Sequence, residues 1–249
     1  RGTLRVAFVS GMPGIGKSYL LEEIAKRLAI RNPHHLLVVI NGGEIKDFHS
    51  LLSSLGRNLI PGSEISPKEL HDFGRKLGTA IVDIENQLRG GLEPKEFRQE
   101  LATTYIDLIE NALSASHVAP IAFTPILIFE DLELIPEPLK DWLANDFNQA
   151  LRKSKFFQNT RFLLSSEKSM AHFEAFFASF GFSKPQEIPL SPLSESECIK
   201  LAQSKGITNM EGKPLKKQSG GIPSKLLKLL NNSSNLTSNG NLKMSESQK

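Results

Sequence analysis

The 249 residues are 39% apolar and 23% charged, a globular balance with room for one substantial core and a small appended subdomain. A formal net charge of +3 is too small to point to nucleic acid by itself, and a single cysteine, Cys198, excludes an internal disulfide or a Cys-based metal site and favours a reducing, cytoplasmic setting. No apolar run approaches the roughly 18 residues that cross a bilayer, and the one near the start is too short for a secretory segment, so no membrane partner is expected.

The chain begins at Arg1 with a strand almost at once, which reads as a piece of a longer polypeptide. Leu4–Val9 is a β-rich apolar run closed by Ser10 and Gly11, and Tyr19–Ile30 repeats its apolar residues with helical period, giving strand, loop, helix. Leu36–Ile40, unbroken Leu, Val and Ile, suits a strand buried on both faces of a parallel sheet, and Asn41, Gly42 and Gly43 end it. Three helices are predicted next, Asp47–Leu59, Pro67–Leu88 and Pro94–His117; Ser66 and the prolines after it and after Glu93 are helix-start residues, and Gly90 and Gly91 punctuate the gap.

Pro125–Phe129 forms a third strand ending on Glu130 and Asp131, and Arg161–Leu164 a fourth ending on Ser165 and Ser166. Both place polar residues at the C-terminal end of an apolar strand, the edge where open α/β sheets bind ligands. Phe173, Phe176, Phe177 and Phe180 fall at helical spacing and read as core contacts. A fifth strand near Glu187–Leu190 leads into a helical, lysine-rich stretch through about Leu230. The expected division is a core over residues 1–190, a helical lid over 191–231 and a disordered polar tail over 232–249.

Gly11-Met12-Pro13-Gly14-Ile15-Gly16-Lys17-Ser18 fits GxxxxGK[ST] and sits between a predicted strand and a predicted helix, as that motif requires. Its glycines let backbone N–H groups close around a β-phosphate, the helix N-terminus adds positive dipole, Lys17 reaches the β and γ oxygens, and Ser18 ligates Mg²⁺. The nucleotide-contacting set is therefore Gly11, Pro13, Gly14, Ile15, Gly16, Lys17, Ser18 and Tyr19, with ATP or ADP and Mg²⁺ as the cofactors.

The strand ending in Glu130 and Asp131 has the form of a Walker B element, Glu130 being the metal acid by position and Asp131 the base. This order reverses the more usual Asp then Glu, which leaves the two roles exchangeable. Glu133 lies too far along to compete and reads as solvated. Ser165 and Ser166 stand where a polar sensor would meet the γ-phosphate or the lytic water; ordinary strand-end serines are the alternative. No arginine occurs between Ser166 and Leu190, so turnover is expected to be slow or partner-activated, with Arg152 and Arg161 as substitutes for an arginine finger. Ser219-Gly220-Gly221-Ile222-Pro223 opens the last helix, Ser224–Leu230, with glycines for a tight turn and Pro223 offering a flat apolar face that fits an adenine ring.

With these pieces in order the chain resembles the STAND branch of AAA-type P-loop ATPases, which includes NB-ARC and origin-recognition-like domains. Gly11 to Ser18, Ile126 to Asp131, Glu187-Ile188-Pro189-Leu190-Ser191-Pro192-Leu193-Ser194 with its following helix, and Gly220-Gly221-Ile222-Pro223 carry the likeness. The resemblance implies an α/β P-loop NTPase fold with a five-stranded parallel sheet of order 5-1-4-3-2 and a C-terminal helical lid whose Pro223 packs on the adenine. It also implies an ATP-hydrolysing, nucleotide-dependent switch that works with other domains of the same polypeptide or with protein partners. Where such proteins often carry an arginine after the fourth strand, this chain has Glu167 and Lys168.

The second reading is a DNA-associated ATPase of origin-recognition or transposition-helper type. Lys213, Lys216, Lys217, Lys225 and Lys228 lie in a stretch with no acidic residue from Gly212 to Ser245, which suits phosphate backbones; a solvated helix face is the simpler reading. A kinase is disfavoured because the long helical region after Lys46 offers no acceptor site.

Overall fold

The computed structural model describes residues 6–31, 33–61, 67–91, 94–114, 124–155, 160–180, 185–207 and 211–240. Leu4, Ser66, Glu93 and His117, which mark element boundaries in the sequence reading, lie outside the described residues, as do residues 241–249 and the side chain of Phe180. The chain divides into two compact units, residues 1–10 with 18–188 and residues 11–17 with 189–249.

In the larger unit the apolar runs assemble a sheet of β1 (Val6–Ser10), β2 (His35–Asn41), β3 (Leu59–Pro61), β4 (Thr124–Glu130), β5 (Arg161–Ser166) and β6 (Gln186–Pro189), in the order β3-β2-β4-β5-β1-β6. β2 runs parallel to β4, β4 to β5 and β5 to β1. Most residues of β4 and nearly all of β5 are buried, as expected of strands covered on both faces.

The sheet differs from the expected five-stranded, all-parallel one: among the described residues it has six strands, and β3 pairs antiparallel with Leu36–Val38 of β2. The sequence reading runs a helix through Leu59, but α2 (Phe48–Arg57) stops at Arg57, where Asn58 leaves helical geometry (φ −88°, ψ 47°). Leu59–Pro61 is thereby free to pair, and an edge position tolerates Pro61, which has no N–H to donate. The other five strands follow one another as β2-β4-β5-β1-β6.

The helices of this unit are α1 (Lys17–Arg31), α2, α3 (Pro67–Arg89), α4 (Pro94–Ser114), α5 (Glu137–Trp142), α6 (Asn148–Lys153) and α7 (Glu174–Phe180). α1 buries Leu21 and Ala25, one turn apart, and carries the pairs Glu22–Lys26 and Glu23–Arg27 on its wet face, each in the favourable acid-first orientation. α2 starts on a reciprocal cap in which the Asp47 carboxylate accepts from Ser50 N–H and Ser50 Oγ accepts from Asp47 N–H. Between α5 and α6 the chain makes a π-helical turn, Leu143–Phe147, and Arg98 bridges Asp141 and Asp146, at 2.6 Å from each. Trp142 beneath it is fully buried, edge-on to Phe48, with its indole N–H donating to Arg98 O at 2.8 Å. Phe173 and Phe177 are core residues, as the spacing predicts, and both rings pack on Phe8 of β1.

The smaller unit contains α8 (Glu195–Ser204), α9 (Gly212–Ser219) and α10 (Pro223–Gly240) around Cys198, Ala202, Leu215, Leu226 and Leu230. Ser194 and Glu197 cap α8 reciprocally. α10 runs on through Gly240, past the Leu230 at which the sequence reading ends its last helix, because extending a formed helix costs far less than nucleating one. Between α9 and α10, Gly220 and Gly221 both adopt positive φ (64° and 71°), and Gly221 O accepts from Leu193 N–H at 2.7 Å. A Cβ on Gly221 would lie 2.6 Å from Leu193 O, so this turn requires glycine on two counts.

Candidate functional site

The smaller unit holds the glycine-rich loop. Gly14 and Gly16 adopt φ of 75° and 106°, which side-chain-bearing residues rarely reach. Ile15 is buried, Pro13 and Met12 are exposed, and a turn bond links Ile15 N–H to Met12 O. Lys17 is only 6% exposed, and its ammonium donates to Gly11 O at 3.0 Å, folding back over the loop. Gly14 O accepts from Ser224 N–H at 3.2 Å, and a side chain on Gly14 would collide with Ser224 Oγ. Half-buried Pro223 precedes Ser224 in the first turn of α10, so this unit brings the loop and the Gly-Gly-Ile-Pro segment together.

In the larger unit, the Ser18 hydroxyl lies near the Glu130 carboxylate at the end of β4 and favours its charged form. Burial pushes the Glu130 carboxyl above its ordinary range, the Ser18 hydroxyl pulls it back, and Asp131 and Glu22 push it up again. Glu22 lies one turn beyond Ser18 on α1, on the same helix face. Tyr19, by contrast, is 73% exposed. Asn41 pairs in register with Glu130, and Gly42, without a side chain, lets the carbonyls of Glu130 and Asp131 close against it.

Asp131 is the one non-glycine residue with positive φ (49°) among the described residues. Its N–H points to Ser165 Oγ at 3.4 Å, which joins the Walker B-like turn to the end of β5. Ser165 and Ser166 are both fully buried, but Ser166 Oγ accepts Lys168 N–H at 2.9 Å and is engaged in a local turn. Arg161 opens β5 at the opposite end from these serines, and Arg152 lies on α6. Glu133 departs from its reading as a solvated residue: Oε1 accepts Glu167 N–H at 2.9 Å, while Oε2 is buried with no partner among the described residues.

Several contributors escape sequence reasoning. Glu22 could have been found from its four-residue spacing to Ser18. Glu187 carries no such signal, yet its Oε1 accepts from Ser10 Oγ at 2.7 Å and from Met170 N–H at 3.2 Å, tying β6 to the end of β1. Glu133 and Glu167 meet only because β4 and β5 are neighbours in the sheet.

The donor set fits Mg²⁺ in kind. Ser18 and Glu130 offer hard oxygen ligands, and Mg²⁺ at phosphate sites uses one or two such groups and keeps several waters. Among the described residues no group of three or more His, Cys, Asp or Glu could form an all-protein metal cage, and no helix is long and apolar enough to cross a membrane. Lys213, Lys216, Lys217, Lys225 and Lys228 are all exposed on α9 and α10.

No protein-family model matches the chain, and no curated protein matches it in sequence. Among solved structures it is similar to the ORC2 protein of Aeropyrum pernix, at 14% identity and a TM-score of 0.51 to its ADPNP–ADP complexes and 13% and 0.50 to its ADP form, over 90% of this chain and 55% of that one. It is also similar to the Walker-type ATPase PABY2304 of Pyrococcus abyssi (16% identity, TM-score 0.49, 95% of this chain and 69% of that one). Against Cdc6p of Pyrobaculum aerophilum the values are 16% and 0.46, over 80% of this chain and 42% of that one. The chain thus spans about half the length of the ORC2 protein it matches, and what it shares is the fold: a mixed α/β sheet flanked by helices, consistent with a P-loop NTPase core, with helices C-terminal to it.

Proposed function

We propose that the chain binds ATP or ADP with Mg²⁺ and serves as a nucleotide-dependent, slowly hydrolysing switch of STAND/AAA type within a larger protein. The observation that carries this reading is the octapeptide Gly11–Ser18, with left-handed glycines at 14 and 16, a buried lysine and a serine beside an acid at a strand end. A glycine-rich turn that merely started a helix would need neither Lys17 nor Ser18. The ORC2 protein that shares the fold is known in ADP and ADPNP–ADP forms, which supports the same ligand class here.

In this reading the loop amides and Lys17 hold the polyphosphate, with Gly11, Pro13, Gly14, Ile15 and Gly16 shaping the cradle, Tyr19 among the nucleotide contacts and Pro223 packing on the adenine. Ser18 and Glu130 hold the metal, which when bound neutralises phosphate charge. Asp131 accepts a proton from the attacking water, and Ser165, through its contact with Asp131 N–H, orients that residue; Ser166 supports the same strand end. A switch follows if the di- and triphosphate forms stabilise different conformations, since a ligand shifts an equilibrium only by its differential affinity.

Affinity for ATP, ADP and GTP, with turnover, for the wild type, Lys17→Ala and Asp131→Ala tests this. Losing charge-assisted bonds from Lys17 should weaken triphosphate binding by roughly tenfold or more, whereas Asp131→Ala should keep binding and lose hydrolysis. A folded wild type that takes up no nucleotide with Mg²⁺ would end the reading. DNA association is a second reading, favoured by the five exposed lysines of α9 and α10. It requires salt-dependent binding to duplex DNA, and no binding at low salt would remove it.

A further inference from the structure

We propose that the groove between α2 and α3 is a docking site for an acidic, leucine-bearing amphipathic helix of a partner protein. The groove encloses about 580 Å³. Its floor is apolar, formed by Leu52, Leu70, Leu77 and Ile81. Its rim is basic, formed by the exposed His49, Arg57, His71 and Arg75, and among the described residues no acidic side chain lines it. Arg57 pairs with no carboxylate among the described residues, and Arg75 reaches Asp72 only at 3.8 Å. At one end Leu59 of β3 lines the groove, and the next residue, Ile60, is 52% exposed.

Three glycines shape the walls, and only one has a packing reason. A Cβ on Gly56 would lie 2.8 Å from Leu77 Cδ2, so Gly56 lets α2 approach α3; one on Gly74 would fit in ordinary contact, 3.6 Å from Gly56 O. Gly78 is the most open, because a Cβ there would meet nothing within 4 Å. Glycine inside a helix destabilises it relative to alanine, so α3 carries at Gly78 a cost that its own packing does not explain. An open, side-chain-free wall beside an apolar floor is what a helix needs to bring its backbone close, with apolar side chains at i, i+3, i+4 and i+7 on the floor. The rim selects acids on the flanks of that helix, since opposite charge steers and orients docking while like charge repels.

The test uses the full chain and a fluorescein-labelled helical peptide of about 18 residues, with Leu at those spacings and Glu elsewhere, followed by anisotropy at low salt. A second peptide has Lys in place of every Glu. Saturable binding of the Glu peptide is expected, weakened roughly tenfold or more by Arg57→Glu with Arg75→Glu, by Gly78→Leu and by the Lys peptide. Gly78→Leu fills open space and favours helix, so it should fold, and a nucleotide-binding assay on each variant checks that the rest of the chain is intact. Absent binding, equal binding by both peptides, or wild-type binding by Gly78→Leu overturns the proposal. So does concentration-dependent dimerisation abolished by Gly78→Leu, which would make a second copy the occupant, or displacement of the peptide by decanoate, which would make it an anionic lipid. Because nucleotide binding is read separately, its absence would count against the proposed function and not against the groove.

Discussion

Glu167 donates its backbone N–H to Glu133 Oε1 at 2.9 Å, two residues further along than the contact of Asp131 N–H with Ser165 Oγ. β4 and β5 pair in parallel up to Phe129 opposite Leu164, and beyond that point the two segments stay joined through side chains, slipped by one residue. Asp131, in its left-handed conformation, takes up the slip. Glu133→Ala should therefore lower stability by about 1 kcal/mol, the usual net worth of one such bond. Glu133→Gln keeps the acceptor at Oε1, so it should lose less stability than Glu133→Ala. Urea unfolding midpoints of the three proteins check this; an unchanged midpoint for Ala would mean that water serves Glu167 equally well.

The left-handed Asp131 also separates chemistry from strain. Asn tolerates this conformation nearly as well as Asp, whereas Ala bears a cost of about 1 kcal/mol or more. Asp131→Asn should leave stability and nucleotide affinity near wild type while lowering turnover by roughly 100-fold, the low end for loss of a general base. Asp131→Ala should lose turnover similarly and also melt earlier. Steady-state hydrolysis with parallel thermal melts distinguishes the two, and undiminished turnover in Asp131→Asn would remove the residue from the chemistry.

Glu130 offers a test by pH. Burial raises its carboxyl in the folded chain, so the folded state binds this proton more readily than the unfolded state. Stability consequently falls as pH rises from the ordinary Glu range, about 4.3, through the raised folded value, and the penalty persists at neutral pH. Glu130→Gln removes it while Ser18 keeps an acceptor. Without nucleotide, the variant should melt above the wild type at pH 7, and the gap should close as pH falls below about 4. Melting curves from pH 4 to 8 read this directly, and a gap of constant size would assign the effect to packing.

In the smaller unit, Gly221→Ala should destabilise by about 2 kcal/mol or more, from the left-handed backbone and the close approach of Leu193 O. Ala at Gly206, also left-handed (φ 79°) but with nothing within 4 Å, should cost only the backbone part. Chemical denaturation of both variants tests the difference, and equal losses would mean that the Leu193 segment simply moves aside.

Local signals were readable where local physics decides. β2 and β4 are unbroken apolar runs, α3 and α4 begin on Pro67 and Pro94 as the sequence predicts, and the glycine-rich octapeptide lies between a strand and a helix. β3 was not readable, since three residues become a strand only through a neighbour, and Leu59 continues the apolar period of α2. Ser165 and Ser166 look alike in sequence, yet one faces Asp131 N–H and the other closes a local turn; that division depends on how β4 lies beside β5. Glu133 shows the same limit, because its partner is distant in sequence and close in the sheet.

The grouping of residues 11–17 with residues 189–249 has a consequence for biosynthesis. A chain emerging from the ribosome makes the Gly14 carbonyl about 210 residues before the Ser224 amide that binds it. The nascent loop therefore waits, without its final fastening, until Ser224 has been translated, and a product released before residue 189 would carry the whole octapeptide yet lack the scaffold that gives the loop its finished shape.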